Sequence, residues 1–176
     1  SELSKVGLIL NQAKTAALTN VTHAPATIIT PSGIQVKVLP RSEGHKWLGC
    51  ILCGADRRRH QLDVEFHIQA AGRAFYSNRP ILCNRNVSIV ARLRYFASIV
   101  SSVACFAAGH RTPHRADIDR LNVSFRSLAR QVVGPPPNVD WTRPWHEILH
   151  DWNARLDTYV RRASIRNWGE ECLRSF

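Results

Sequence analysis

The hydrophobic positions of the first 55 residues change from a helical spacing to a strand-like one. The three- and four-residue spacing of Leu3, Val6 and Leu10 predicts a helix over residues 1–10. Short β-branched runs separated by prolines then predict strands and turns. The turn residues Pro31-Ser32-Gly33 predict a hairpin between the second strand and the third. The predicted strands are Thr15–Asn20, Ala26–Thr30, Ile34–Leu39 and Lys46–Leu52.

From Asp56 onward the hydrophobic residues follow the period of an α-helix. Four apolar stripes predict four amphipathic helices, and a short basic segment closes the chain. The chain is therefore predicted to be an α+β protein, with a small antiparallel β-layer and one helix followed by an all-α module. The four stripes are Val64, Ile68, Ala71 and Phe75; Ile89, Leu93, Phe96, Val100, Val103 and Ala107; Ile118, Leu121, Phe125, Leu128 and Val132; and Trp145, Leu149, Trp152, Leu156 and Val160.

Helix ends are predicted from capping residues and prolines. Pro80 is expected to end the first of the four helices. Asn86 is expected to cap the second, which Gly109 ends. Thr112-Pro113 has the order of an N-cap and a first-turn proline, so the third helix is expected to begin there. The stiff run at 134–137 separates the third helix from the fourth.

The charge of the chain is strongly positive, with 24 Lys and Arg against 13 Asp and Glu and a net charge of +11. Twenty of the basic residues are Arg. Because Arg forms planar, bidentate contacts with phosphate, this balance favours a nucleic-acid partner, although an Arg-rich proteome is an alternative explanation. The hydrophobic fraction of 44% excludes a wholly disordered basic tail. The longest run without a charged residue or His, at 95–109, is too short to span a membrane.

Two further features of the composition concern the origin of the chain. Its five cysteines are an odd number and lie mostly in apolar runs, which favours buried thiols in a reducing, intracellular compartment over a disulfide scaffold. The chain starts at Ser1 and contains no Met, so it is expected to be a piece of a longer open reading frame or a processed product.

Two motifs follow one another in the first 55 residues. Leu10-Asn11-x-x-Lys14-Thr15 is followed by two short strands and then by His45-Lys46-Trp47-Leu48-Gly49-Cys50. This order resembles the end of the palm in the reverse transcriptases of non-LTR (LINE-type) retrotransposons, where an LNxxKT turn precedes a KYLG strand. Leu121-x3-Phe125-Arg126-x-Leu128-x-Arg130-x-Val132-Val133-Gly134 is similar to a helix of that family's thumb. The resemblance implies a palm remnant at 1–55, thumb-like helices at 56–134 and a C-terminal helical extension at 135–176.

The resemblance also implies roles for individual residues. Lys14 matches the lysine of polymerase motif D, which lies near the phosphates of the incoming nucleotide. Trp47-Leu48-Gly49 matches the primer-grip strand, with Trp where Tyr is usual. A thumb holds the template–primer duplex by its backbone, so outward-facing arginines are expected to contact RNA or an RNA–DNA duplex. The residues assigned to nucleic-acid binding on this basis are Trp47, Leu48, Gly49, Arg57, Arg58, Arg59, Arg73, Arg92, Arg94, Arg115, Arg126 and Arg130.

The catalytic carboxylates of the family are missing from this sequence. Two-metal phosphoryl transfer needs paired carboxylates, and no Asp-Asp pair occurs here. Asp117 and Asp119 lie two apart on a predicted helix and point to different sides, and the adjacent Glu170 and Glu171 diverge likewise. The chain is therefore expected to be inactive alone and to hold no cofactor, with Mg²⁺ required only by the complete polymerase.

Other interpretations of these residues remain open. His146-Glu147-x-x-His150 fits the HExxH pattern of zinc peptidases, with Glu170 as a third ligand. Cys50-x2-Cys53 is a lone CxxC, for which buried structural thiols are favoured over zinc ligands. The aromatic residues Trp141, Trp145, Trp152, Tyr159 and Trp168 are expected in the core rather than in a base-stacking platform.

The partner is also open between two alternatives. The chain is expected either to bind duplex directly or to be a retroelement-derived structural subunit of a larger assembly, with RNA or an acidic protein as its partner. A nuclear or cytoplasmic location follows from the resemblance.

Overall fold

Strands in the first part of the chain and helices in the rest give an α+β fold, which confirms the predicted class. A computed structural model describes residues 11, 14–31, 33–108 and 114–175. The helix predicted over residues 1–10 lies outside this set. The chain divides into two compact units, a strand unit of residues 1–63 and a helical unit of residues 64–176.

A three-stranded sheet contains β1 (Ala16–Leu18), β2 (Thr27–Ile29) and β3 (Gln35–Leu39), with β3 in the centre. β2 and β3 pair antiparallel, and the Thr30 N–H donates to the Ile34 carbonyl at 2.9 Å, which confirms the predicted hairpin. β1 pairs parallel with β3, so this sheet is not purely antiparallel.

The run Lys46–Leu52, predicted as one strand, is a hairpin of β4 (His45–Trp47) and β5 (Cys50–Leu52). Leu48 and Gly49 form its two-residue turn, and both have positive φ, at 45° and 87°. Positive φ at both central residues is the arrangement that matches the twist of two paired strands. β5 is held by the Ile51 N–H, which donates to the buried carboxylate of Asp63 at 2.7 Å.

Leu48 is a poor residue for this turn, so Leu48→Asn is expected to stabilise the hairpin. Leu disfavours positive φ, whereas Asn adopts it readily, and the Leu48 side chain is 75% exposed and contributes little packing. We expect Leu48→Asn to raise the free energy of unfolding by about 0.5–1 kcal/mol, measured by urea denaturation. Leu48→Ala is the control and is expected to give no increase, because Ala disfavours positive φ as Leu does. Equal stabilisation by both variants would contradict a backbone effect.

The helical unit is built from consecutive helices joined by short segments. They are α1 (Asp56–Ser77), which begins in the strand unit, α2 (Arg79–Leu82), α3 (Ile89–Phe96), a π-helical segment (Ala97–Ser101), α4 (Ser102–Ala104), α5 (Arg115–Val133), α6 (Trp145–Ala163) and α7 (Trp168–Arg174).

Several predicted helix ends differ from the structure. α1 ends before Pro80, as predicted, and the proline lies in the first turn of α2. The predicted cap Asn86 is wrong: the hydroxyl of Ser88 accepts from the Ala91 N–H at 3.3 Å and caps α3. The predicted helix ends at Gly109 and at Thr112-Pro113 lie outside the described residues. In the structure His114 is the N-cap of α5, which begins at Arg115.

The predicted stripes of α1 and α5 match the buried residues except at Ile68 and Ile118, which are half-buried. The stripe of α3 matches the buried face only as far as Val100. Ala104 and Ala108 are buried there in place of the predicted Val103 and Ala107. The cause is the π-helical segment, whose wider turn adds a residue and so advances the buried face by one position.

The buried face of α6 is also rotated from the predicted one. Ile148, Leu156 and Ala163 are buried, whereas Trp145, the first residue of the helix, is 59% exposed. Trp141, in the preceding turn, is 63% exposed. The prediction that all five aromatic residues belong to the core is therefore wrong for these two.

The centre of the helical core is an aromatic cluster of Phe96, Phe125 and Trp168. The Trp168 ring stacks on Phe96 with centroids 6.3 Å apart and an interplanar angle of 2°, and it meets the Phe125 ring edge-on at 5.9 Å. Its indole Nε1 donates to the hydroxyl of Ser101 at 2.8 Å. The C-terminal helix α7 thus supplies the largest fully buried side chain of the core.

In the part of the chain that the structure covers, no helix has the length and apolar character needed to cross a membrane.

Candidate nucleic-acid interface

Trp47, the last residue of β4, and Leu48, in the turn that follows, lie exposed at the end of the β4–β5 hairpin. The segment that the resemblance assigns to a primer grip therefore ends in an apolar tip. Gly49 supplies the second positive φ of the turn.

Lys14 lies in a turn held by Asn11. Its backbone N–H donates to the Asn11 carbonyl at 3.1 Å and to the Asn11 side-chain oxygen at 3.2 Å, while the Thr15 hydroxyl donates to the same carbonyl at 2.7 Å. The side chain of Lys14 is exposed and borders an open cleft of about 560 Å³ that Lys37 and His45 also line. The Asn11–Thr15 motif is thus a local turn that places a lysine beside a cleft.

The basic run Arg57-Arg58-Arg59 forms the first turn of α1. The Arg59 N–H donates to the Ala55 carbonyl at 2.8 Å. Arg58 is exposed and Arg59 half-buried, and the side chain of Arg57 lies outside the described set. Of the two arginine side chains of this run that the structure describes, Arg58 is the more open to an external anion.

Arg92 does not face outward, which corrects its assignment to the interface. It is 7% exposed, and its guanidinium donates to three backbone carbonyls. Nε donates to Val87 at 3.1 Å, and Nη1 donates to Leu82 at 3.4 Å and to Val132 at 2.6 Å. Burial lowers the pKa of Arg92 from its usual value. Its donors are used inside the protein, so Arg92 has a structural role.

Three other arginines assigned to binding are partly engaged within the protein. Arg115 lies 3.9 Å from Asp119, and Arg126 lies 3.2 Å from Asp157. Arg130 donates to the Asn153 side-chain oxygen at 3.0 Å, and burial, followed by the nearby charge of Arg126, lowers its pKa. These contacts join α5 to α6 or lie along α5, and the two carboxylates reduce the charge that Arg115 and Arg126 offer to a ligand.

A second set of arginines in the helical unit is exposed and has no carboxylate within 4.0 Å among the described residues. Two of them donate to backbone carbonyls at the end of α6, Arg94 to Ala163 at 3.4 Å and Arg161 to Asp157 at 3.3 Å. Backbone carbonyls leave the net charge of a guanidinium uncompensated. The full set is Arg73, Arg79, Arg85, Arg94, Arg161, Arg162 and Arg174.

Sequence reasoning missed a cluster on α6 formed by Arg155, Tyr159 and Arg162. The guanidinium carbon of Arg155 lies 5.2 Å from the centroid of the Tyr159 ring, and that of Arg162 lies 5.6 Å from it. Both distances are within the range of cation–π attraction. The signal was present in the sequence, because residues spaced by four and then by three lie on one side of a helix.

The HExxH residues do not assemble a peptidase site in the described part of the chain. His146 and His150 are exposed, and Glu147 is bound by Arg143, whose Nη2 lies 3.0 Å from its carboxylate. A hydrogen bond from Arg143 at 2.9 Å also lowers the pKa of Asp151. Glu170 and the two histidines do not bring their ligand atoms within 4.8 Å of one another.

Comparison with known proteins gives no match to a protein-family model, a curated protein or a solved structure. The candidate interface therefore depends on the positions and contacts of the chain's own residues.

Proposed function

We propose that this chain binds the sugar–phosphate backbone of RNA or of an RNA–DNA duplex, as the palm-end and thumb portion of a LINE-type reverse transcriptase. The observation that carries the proposal is the set of seven exposed arginines without a carboxylate partner in the described helical unit. Such guanidiniums are free to replace the counterions of a nucleic acid.

The distribution of acidic groups supports the same proposal. Residues 64–176 contain sixteen Arg, no Lys and nine carboxylate side chains. Six of these carboxylates already contact an arginine, namely those of Glu65, Asp119, Glu147, Asp151, Asp157 and Glu171. Little acidic charge is left to repel a polyanion from the unpaired arginines.

The proposed activity is binding without catalysis by this chain. Asp117 is buried, and its carboxylate accepts from the His114 N–H at the start of α5. Asp119 faces Arg115, and Glu171 pairs with Arg166. These carboxylates are engaged separately and do not form the pair that two-metal chemistry needs.

Binding to duplex is expected to weaken steeply with salt. If six or more phosphates are contacted, the association constant should fall by about 10³-fold between 50 and 200 mM salt. The measurement is fluorescence anisotropy of the full chain with a labelled RNA–DNA duplex. No binding at low salt would contradict the proposal and favour the alternative of a structural subunit with a protein partner.

The unpaired arginines are expected to carry this binding more than paired ones. We expect Arg73→Gln/Arg79→Gln/Arg85→Gln to weaken duplex affinity by about 10- to 100-fold and to reduce the salt slope by about 2–3. The control triple Arg120→Gln/Arg143→Gln/Arg166→Gln removes the same charge from ion-paired positions and is expected to stay within about threefold of wild type. Equal losses in the two triples would show that affinity follows net charge alone.

A further inference from the structure

The α6 cluster has a polar atom that the protein leaves without a partner. The Nε atom of Arg155 is buried and has no hydrogen-bond acceptor among the described residues. A buried N–H of a charged group costs free energy unless an acceptor satisfies it. The guanidinium carbons of Arg155 and Arg162 lie 5.2 and 5.6 Å from the centroid of the Tyr159 ring, so two positive charges share one ring. Because the Nε of Arg155 is closed to solvent, an external anion meets the terminal nitrogens of the half-buried Arg155 and of the exposed Arg162.

The carboxylates of α6 do not form ion pairs with Arg155 or Arg162. Asn153 and Asp157 lie on the side of α6 that contacts Arg130 and Arg126 of α5. Helical spacing places Arg155 and Arg162 on the other side of the buried face formed by Ile148, Leu156 and Ala163. Asp151 is held by Arg143 at 2.9 Å.

A third guanidinium reaches the end of the same helix from α3. Arg94 is exposed and its Nε donates to the carbonyl of Ala163, the residue after Arg162. No carboxylate oxygen lies within 4.0 Å of Arg94, Arg155 or Arg162 in the described part of the chain. The arginine–tyrosine cluster therefore consists of Arg94, Arg155, Tyr159 and Arg162.

We infer that the arginine–tyrosine cluster binds a backbone phosphate of the nucleic acid, an inference that rests on the proposed function. Phosphate oxygens accept from the terminal guanidinium nitrogens of Arg155 and Arg162. The cation–π contacts with Tyr159 hold both guanidiniums in place before the ligand arrives, so less side-chain entropy is lost on binding. Arg94 adds positive charge at the end of α6. Contacts of this kind position a duplex and read no base sequence.

The first test compares duplex affinities of full-chain variants. Arg155→Gln/Arg162→Gln is expected to weaken binding of the labelled RNA–DNA duplex by about 10- to 50-fold and to lower the salt slope by about 1–2. The control double Arg120→Gln/Arg166→Gln removes the same charge at ion-paired positions and is expected to change affinity by less than about threefold. Equal effects of the two doubles overturn the inference and leave the proposed function standing.

The ring of Tyr159 is tested separately. Tyr159→Leu keeps an apolar side chain but removes the π-face, and is expected to weaken duplex binding by about threefold to fivefold. Tyr159→Phe keeps the ring and is expected to bind like wild type. A loss in Tyr159→Phe equal to that in Tyr159→Leu would overturn the stacking role. Thermal unfolding of every variant shows whether a loss of duplex affinity comes from a loss of folded protein.

A second measurement does not depend on duplex binding. Inorganic phosphate is titrated into the ¹⁵N-labelled full chain while the Nε–Hε signals of the arginines are followed by NMR, with the Arg155 signal assigned from Arg155→Lys. We expect a saturable shift of the Arg155 signal that is lost in Arg162→Gln. No shift at Arg155 overturns the inference. A shift at Arg155 in a chain that fails to bind duplex would support the anion site and contradict the proposed function.

Discussion

Replacing Arg92 with Met is expected to lower the free energy of unfolding by about 3–4 kcal/mol. Met fills much of the same volume but leaves the carbonyls of Leu82, Val87 and Val132 without their charged donor. These carbonyls lie in α2, before α3 and in α5, so the loss loosens three segments at once. Urea unfolding followed by far-UV circular dichroism measures the change, which corresponds to a fall of about 10 °C in Tm.

Two further variants separate the charge of Arg92 from its geometry. Arg92→Lys keeps the charge, but a single ammonium nitrogen cannot span the carbonyls of Val87 and Val132, so about half of the loss is expected. Arg73→Met removes an exposed arginine that has no hydrogen bond or ion pair with the described residues, and it is expected to change stability by less than about 0.5 kcal/mol. An Arg92→Met protein as stable as Arg73→Met would contradict the structural role of Arg92.

Trp168→Ala is expected to destabilise the helical unit by about 3–5 kcal/mol. The variant leaves a cavity beside the rings of Phe96 and Phe125 and removes the donor to the Ser101 hydroxyl. Trp168→Phe retains most of the ring contacts and is expected to cost about 1–2 kcal/mol, including the lost hydrogen bond. Both changes are read from urea unfolding curves.

The matched control for Trp168 is Trp145→Ala, which removes the same side chain from an exposed position. Its effect is expected to stay within about 0.5 kcal/mol. If Trp145→Ala and Trp168→Ala destabilise the protein equally, the aromatic cluster is not the centre of the core.

The order of strands and helices was predictable because periodicity reports which face of an element is buried. The stripes Val64–Phe75 and Ile118–Val132 correspond to the buried faces of α1 and α5. The hairpin at Leu48-Gly49 was not predicted, because the apolar run is continuous across the turn and Leu gives no turn signal. The π-helical segment was also missed, because one added residue per turn leaves no mark in composition.

Less of the candidate interface was predictable. Arg92 lies three residues after Ile89 and four before Phe96, so its spacing already places it on the apolar stripe of α3. Its burial is nevertheless a tertiary property, since its carbonyl partners come from three separate segments. The spacing of Arg155, Tyr159 and Arg162 was readable, but the buried Nε of Arg155 depends on packing that no local pattern encodes.

The position of Trp168 in α7 has a consequence for the synthesis of the chain. A ribosome releases Phe96 and Phe125 long before Trp168, so the nascent helices must keep an incomplete aromatic cluster until the last helix emerges. Until then the face of Phe96 that Trp168 covers is open to other apolar segments. A translation product that stops after α5 would carry Arg73, Arg79, Arg85 and Arg94 of the proposed binding surface on helices whose core is still open.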